Sequence, residues 1–171
     1  MPGLPTGTVT FLFTDIEGST KRWEQYPQQM QHAHQEDILR RVIDANGGYA
    51  YKQIGDAFQA AFPTAPQAVK AALDAQRGLH SEDSELRVRT ALHTGVTEER
   101  GDDYFGPLLN RLARLLAAGH GGQILLTLAT AELVRDNLPE GASLRDLGEH
   151  RLKDLFRPER VYQLVSPDLT L

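Results

Sequence analysis

The chain is predicted to form an α+β fold, with a βαββαβ core in its first part and extra strands and helices towards the C-terminus. Three observations lead there. Val9, Phe11 and Phe13 alternate with Thr10, Leu12 and Thr14, the period of a strand with one strongly apolar face. Tyr49–Ile54 and Ala57–Phe62 are short strand-like runs separated only by Gly55-Asp56, which is hairpin spacing. Runs of helical period, residues 28–45 and 67–79, flank that hairpin and serve as crossovers. This order matches a ferredoxin-like core, whose first strand is central and lies beside a hairpin strand.

The elements follow from local chemistry. Residues 1–7 are rich in Pro and Gly and read as a loose lead-in. The first strand ends in Asp15, followed by Glu17-Gly18-Ser19-Thr20 and a short helix over residues 18–26 that breaks at Pro27. In the helix over 28–45, Ile38/Leu39 and Val42/Ile43 make one apolar stripe, and Asn46-Gly47-Gly48 stops it. Thr64 reads as the N-cap of the next helix, with Pro66 in its first turn, and residues 81–85 as a polar loop. Residues 86–93 alternate again, Leu86, Val88, Thr90 and Leu92 against Arg87, Arg89, Ala91 and His93. Residues 95–99 extend that strand or begin the next, and Arg100-Gly101-Asp102-Asp103 is an acidic loop. A helix over 106–118 closes at Gly119-His120-Gly121-Gly122; a strand over 123–126 and a helix over 127–137 follow. Strands over 144–152 and 160–165, joined by a turn through Pro158, complete one domain over residues 8–165, and 166–171 form a tail.

Composition narrows the function classes. A chain of 171 residues, 40% hydrophobic and 24% charged, has the make-up of one soluble globular domain. It contains no cysteine, which excludes disulfides and thiolate metal sites. No apolar run reaches membrane-spanning length and no signal pattern opens the chain, so no membrane partner and a cytoplasmic location are expected. A net charge of −5 argues against a general nucleic-acid binder but leaves room for a local basic pocket.

Several residues have chemistry worth placing. Asp15 ends the first strand and Asp56 sits at the hairpin tip; in a ferredoxin-like sheet both carboxylates can point into one space. Two acids with open coordination suit Mg²⁺, which takes its remaining oxygens from water and substrate phosphates. Helix capping by Asp15 and turn chemistry for Asp56 explain the same residues as well. Lys52, four residues before Asp56, should line the same surface. Asn110 and Arg114 fall on one helix face, opposite the inward stripe Leu108, Leu109, Leu112, Leu115 and Leu116, where an amide and a guanidinium can grip a ribose and a phosphate. Arg111 reads as an ordinary solvated residue. Lys153 reads as a surface lysine or a phosphate contact. The six histidines show no metal-ligand pattern, and His32 and His34 read as surface residues. The Gly119–Gly122 run lacks the Lys-Ser/Thr ending of a P-loop and reads as a helix C-cap and turn.

Taken together, four motifs resemble the class III adenylyl/guanylyl cyclase catalytic domain, over residues 8–165. They are Phe11-Leu12-Phe13-Thr14-Asp15-Ile16-Glu17-Gly18-Ser19-Thr20, Lys52-Gln53-Ile54-Gly55-Asp56, Ala91-Leu92-His93-Thr94-Gly95, and Asp103-Tyr104-Phe105-Gly106-Pro107-Leu108-Leu109-Asn110-Arg111-Leu112-Ala113-Arg114. The resemblance implies the class III nucleotidyl cyclase fold, of bacterial type, and conversion of ATP to 3′,5′-cyclic AMP and pyrophosphate. It implies metal ligation by Asp15, Asp56 and the Ile16 carbonyl, with two divalent ions, Mg²⁺ or Mn²⁺, as cofactors. Amides of Glu17, Gly18, Ser19 and Thr20 would lie near the terminal phosphates. The base-selecting pair falls on Lys52 and Asp103; counting back three from Gly106 favours Asp103 over Asp102. Lys52 can donate to adenine N1 and Asp103 can accept from the exocyclic amine, whereas guanine offers the reverse pattern. The ribose-orienting residue falls on Asn110, the transition-state arginine on Arg114, and a phosphate-binding lysine on Lys153.

In this family the metal aspartates and the base-reading, Asn and Arg residues of one site come from different subunits. The resemblance therefore implies a head-to-tail homodimer with shared sites. The chain is hardly longer than such a domain, so no sensor domain is expected in it. The rivals are a cyclase acting on GTP or a pyrimidine triphosphate, and an ATP-sensing module without turnover. A diguanylate-forming enzyme is a further rival, against which the missing Gly-Gly-Asp-Glu-Phe signature argues.

Overall fold

A computed structural model describes residues 4–17, 29–80, 87–153 and 155–169, without the side chains of 29–35 and 80. The expected helix over 18–26, the loop over 81–85, the amides of Gly18, Ser19 and Thr20, and the side chains of His32 and His34 lie outside the described residues.

Seven strands form one sheet: β1 (Thr8–Ile16), β2 (Tyr49–Ile54), β3 (Ala57–Phe62), β4 (Val88–Val96), β7 (Ile124–Thr127), β8 (Ser143–His150) and β9 (Glu159–Val165). Their order is β2-β3-β1-β4-β7-β9-β8, and every pairing is antiparallel except β4 with β7. The first four strands in space are thus β2-β3-β1-β4, the ferredoxin-like arrangement expected of a βαββαβ core. The parallel β4–β7 step needs a crossover, and α3 (Pro107–Ala118) supplies it. Of the other helices, α1 (Gln29–Ala45) and α2 (Ala65–His80) cross over in the core and α4 (Leu128–Val134) follows β7. Among the described residues, no helix is long and apolar enough to cross a membrane.

The sheet divides two cores. On one face Leu12, Leu92 and Leu126 pack with Ala68, Val69 and Ala72 of α2 and Ala131 and Val134 of α4. On the other, Val9, Phe11, Phe13, Ala91 and Leu125 pack under Leu112, Leu115 and Leu116 of α3. β1 is therefore buried on both faces, which the sequence pattern understates because Thr10 and Thr14 sit in the core. Thr10 Oγ1 lies 2.9 Å from Thr94 Oγ1, which lies 2.8 Å from Thr130 Oγ1, so these hydroxyls satisfy one another inside. Thr64 caps α2 as expected, its Oγ1 accepting from the Gln67 amide at 3.4 Å.

Two expectations need correction. The acidic stretch 100–103 is not a plain loop but the tip of a separate hairpin, β5 (Glu98–Arg100) and β6 (Asp103–Phe105). Gly101 and Asp102 occupy its two central positions with φ of 54° and 66°, the mirror-type turn that matches strand twist. Three-residue strands are too short to give a periodicity signal. Arg111 is not a solvated residue either. Its Nη1 donates to Glu159 Oε1 at 3.2 Å, and the two side chains are only 25% and 12% exposed. The residue sits at the edge of the inward stripe, so the pairing depends on β9, which periodicity along α3 does not report.

Beside this pair, His93 Nδ1 lies 2.6 Å from Thr127 Oγ1. Burial, aided by the Arg111 charge, pushes the His93 pKa down from 6.5 to about 4. Between those values the unfolded chain binds more protons than the folded one, so stability falls as pH drops from about 6.5 to about 4. One such group contributes a slope of at most about 1.4 kcal/mol per pH unit. Urea unfolding across that window should show this component in the wild type and lack it in His93→Gln.

Candidate active site

The site begins with an irregularity in β2. Ala50 faces Ala60 and Lys52 faces Gln59, so one extra residue, Tyr51, is inserted as a β-bulge. Strict alternation would send Tyr51 and Lys52 to opposite faces; the bulge lets both meet partners on the α3 side. Tyr51 packs edge-on against Tyr104 at 4.8 Å and Phe11 at 6.1 Å, and Tyr104 against Phe11 at 4.8 Å. Tyr104 is buried, and its hydroxyl donates to the Pro5 carbonyl at 2.6 Å. This aromatic cluster anchors the β5/β6 hairpin over the sheet.

Anchoring Tyr104 sets its neighbour Asp103 on Lys52. Lys52 Nζ lies 2.8 Å from Asp103 Oδ2, and the Tyr104 amide donates to Asp103 Oδ1 at 2.8 Å. Burial alone would raise the Asp103 pKa, but the Lys52 and Tyr104 hydrogen bonds and the Lys52 charge outweigh it and hold the carboxyl below its ordinary value. Asp102 instead occupies the turn. Lys52, Gln59 and Phe13 form a row across β2, β3 and β1 and floor an open cavity of about 440 Å³. Tyr104, Leu109, Asn110 and Ala113 form its other walls.

α3 starts with Pro107, which suits a first turn, and buries Leu112, Leu115 and Leu116. Asn110 and Arg114 lie exposed one turn apart. Asn110 reaches the cavity, while Leu108 and Leu109 are half-buried rather than core. Gly95 lets α3 come close to β4: a Cβ there would fall 2.3 Å from Leu108 Cδ1. The glycine of the Ala91–Gly95 motif thus leaves the space that the Leu108 side chain fills, and a larger residue there would push that side chain aside.

Asp15 leaves β1 opposite Arg89 on β4. Arg89 donates to it twice, Nε to Oδ1 at 2.6 Å and Nη2 to Oδ2 at 2.5 Å, and the two side chains are about a fifth exposed. The bond to Asp15 raises the Arg89 pKa further, and the negative charges of Glu17 and Asp56 add to it. Asp15 and Asp56 therefore both act on one guanidinium. Arg89 Nη1 also donates to the Ala117 carbonyl of α3 at 3.4 Å. Ile16 is buried beside Val88. The Glu17 amide donates to the Arg87 carbonyl at 2.9 Å, and Glu17 Oε2 accepts from the Gly121 amide at 2.8 Å, which lowers the Glu17 pKa. The turn after α3 thus anchors the segment leaving β1.

Among the described residues, no three His, Asp or Glu side chains gather into a metal cluster. Asp15 at the end of β1 and Asp56 at the β2–β3 tip offer carboxylate oxygens, the hard donors a divalent ion uses together with substrate oxygens, so their chemistry fits such an ion. Lys153 is exposed between β8 and β9 and does not line the cavity. Sequence reasoning missed Arg89, the side chain of Glu17, and Gln59. Arg89 becomes visible only when β1 and β4 are set in register, Glu17 only with the turn after α3, and Gln59 only with the bulge.

Residues 2–165 match the model of the adenylate and guanylate cyclase catalytic domain. The chain belongs to this family. An uncharacterized protein of Mycobacterium tuberculosis is 44% identical over 169 residues, covering 96% of this chain and 58% of the relative. An adenylate cyclase of Neurospora crassa is 30% identical over 94% of this chain and 10% of its own length. The chain thus spans little more than half of the mycobacterial relative and a small part of the fungal one. A solved adenylate cyclase of Trypanosoma brucei, in its monomeric state, superposes with a TM-score of 0.87 at 26% identity, over 99% of this chain and 93% of that one. The cyclase domain's mixed sheet and crossover helices are those of these structures.

In this cyclase domain the Arg89–Asp15 bond is half-buried and doubly hydrogen-bonded, so removing one partner strands a charge. Arg89→Gln should lower unfolding stability by about 1–2 kcal/mol in urea. A variant as stable as the wild type would show that the pair contributes nothing to the fold.

Proposed function

We propose that the chain is an adenylyl cyclase that converts ATP to 3′,5′-cyclic AMP and pyrophosphate. One observation carries the choice of base: Lys52 and Asp103 are already joined at 2.8 Å beside a cavity that Asn110 also lines. This presents one donor and one acceptor side by side. Adenine offers the complement, an N1 acceptor beside an exocyclic amine donor. Guanine reverses both groups and sets donor against donor and acceptor against acceptor, a strong basis for rejection.

The roles of the other residues follow. Asn110 orients the ribose so that its 3′-oxygen is aimed at the α-phosphorus. A bond forms from that oxygen to the α-phosphorus while the bond to the pyrophosphate oxygen breaks. Arg114 neutralises charge developing on the phosphoryl oxygens, and Lys153 approaches the phosphates from the loop between β8 and β9. Two divalent ions, Mg²⁺ or Mn²⁺, held by Asp15, Asp56 and the Ile16 carbonyl, would supply charge to the triphosphate and acidify the 3′-hydroxyl. Arg89 donates twice to Asp15 and offsets the charge of that acid. Two sites are shared in a head-to-tail homodimer, with Asp15 and Asp56 from one subunit and Lys52, Asp103, Asn110 and Arg114 from the other. ATP as substrate accords with a cytoplasmic location.

Chromatography with mass spectrometry should identify cyclic AMP from ATP with Mg²⁺ or Mn²⁺, and little cyclic GMP from GTP. Equal GTP turnover would sink the base assignment, and no pyrophosphate release from any nucleotide would sink the enzyme. Asp15→Ala and Arg114→Ala should each lose on the order of 100-fold or more in kcat. Mixed in equal amounts, the two variants should recover about a quarter of wild-type activity, because half the dimers carry one intact site. A mixture that stays inactive while both variants dimerise would rule out the shared site.

A further inference from the structure

We infer that Gln59 is a third base-reading residue, whose Nε2 amide donates to a purine ring nitrogen outside the edge read by Lys52 and Asp103. The inference rests on the reading of the cavity as the base site. Three features of the floor support it. First, Gln59 stands between Lys52 and Phe13 in a single row across three strands, so a base over Lys52 also lies over Gln59. Second, Tyr51 Oη donates to Gln59 Oε1 at 3.2 Å. Tyr51 is brought within reach by the bulge and is held by Tyr104 and Phe11. Burial, with the nearby Asp103 charge, raises its pKa far above that of a free phenol, so the hydroxyl keeps its proton and remains a donor. The amide oxygen is thereby committed to Tyr51. Third, the other end of the amide carries two donors, and among the described residues no acceptor takes either. Gln59 is partly exposed and lines the cavity, which is the space left to its Nε2 end.

The ligand chemistry follows from the inventory of adenine. N1 and the exocyclic amine are taken by Lys52 and Asp103, and the remaining acceptors are the ring nitrogens N3 and N7. A fixed NH₂ donor suits either. This differs from a role in packing, because leucine or methionine fills the same volume without the donor.

The test measures kcat/KM for ATP, 3-deaza-ATP and 7-deaza-ATP in the full chain and in Gln59→Leu and Gln59→Met, with folding checked by circular dichroism. One neutral hydrogen bond predicts about a 3- to 10-fold loss for wild type with the analogue that lacks its partner. Both variants should lose the same factor with ATP and lose nothing further with that analogue, as in a double-mutant cycle. If either variant is insensitive, or its loss multiplies with that of both analogues, Gln59 does not read the base. If wild type neither turns over nor binds ATP, the base-site reading itself fails, which is a separate result from failure at Gln59.

Discussion

The structure depends on the burial of β1 on both faces. Phe11 and Leu12 are 0% and 2% exposed although they point in opposite directions. A strand so enclosed cannot carry a charge along its length, because an unpaired carboxylate in that core is strongly unfavourable. The first position where an acid is tolerated is the exit, and Asp15 stands there. Its neighbour in the sheet is fixed by register, so β4 delivers Arg89 to it, while the β2–β3 tip carries Asp56. The Asp15–Arg89 pair is thus a consequence of where the central strand ends.

The second charged cluster has a different origin. It depends on an aromatic group, Phe11, Tyr51 and Tyr104, that no periodic pattern would assemble. One inserted residue in β2 turns Tyr51 inwards, Tyr51 grips Tyr104, and Tyr104 brings Asp103 to Lys52. Ion pairs this exposed are weak on their own. Here the position is set by buried aromatic surface, and the ion pair reads out the geometry without having to create it.

This contrast explains what was legible in the sequence. The strand of alternating apolar residues, the Gly-Asp hairpin and the crossover helices follow from local periods, and the sheet order follows from connection rules. Asp15, Asp56, Lys52, Asp103, Asn110 and Arg114 stand out through their motifs. Arg89 and Gln59 carry no such signal, since each matters only through the residue opposite it on another strand. The β5/β6 hairpin is not legible because its strands are three residues long, too short to show a period, although its turn, Gly101-Asp102, is the same pair as at the β2–β3 tip. Arg111 reads as solvated because, like that of Arg89, its partner is distant in sequence: Glu159 lies 48 residues away in β9.

α3 connects the two clusters. Asn110 near its start lines the cavity, and the Ala117 carbonyl near its end accepts from Arg89. Between them the inner face is held by Leu112, Leu115 and Leu116, by contact of Leu108 with Gly95, and by the Arg111–Glu159 pair. A single helix therefore links Asn110 at the cavity with the carbonyl that Arg89 bonds. Its inner face is apolar and closely packed, and such faces have one favoured placement. Its outer face carries Arg114 into solvent. In the proposed homodimer this placement sets which face of the helix, with the exposed Asn110 and Arg114, is turned towards the partner subunit.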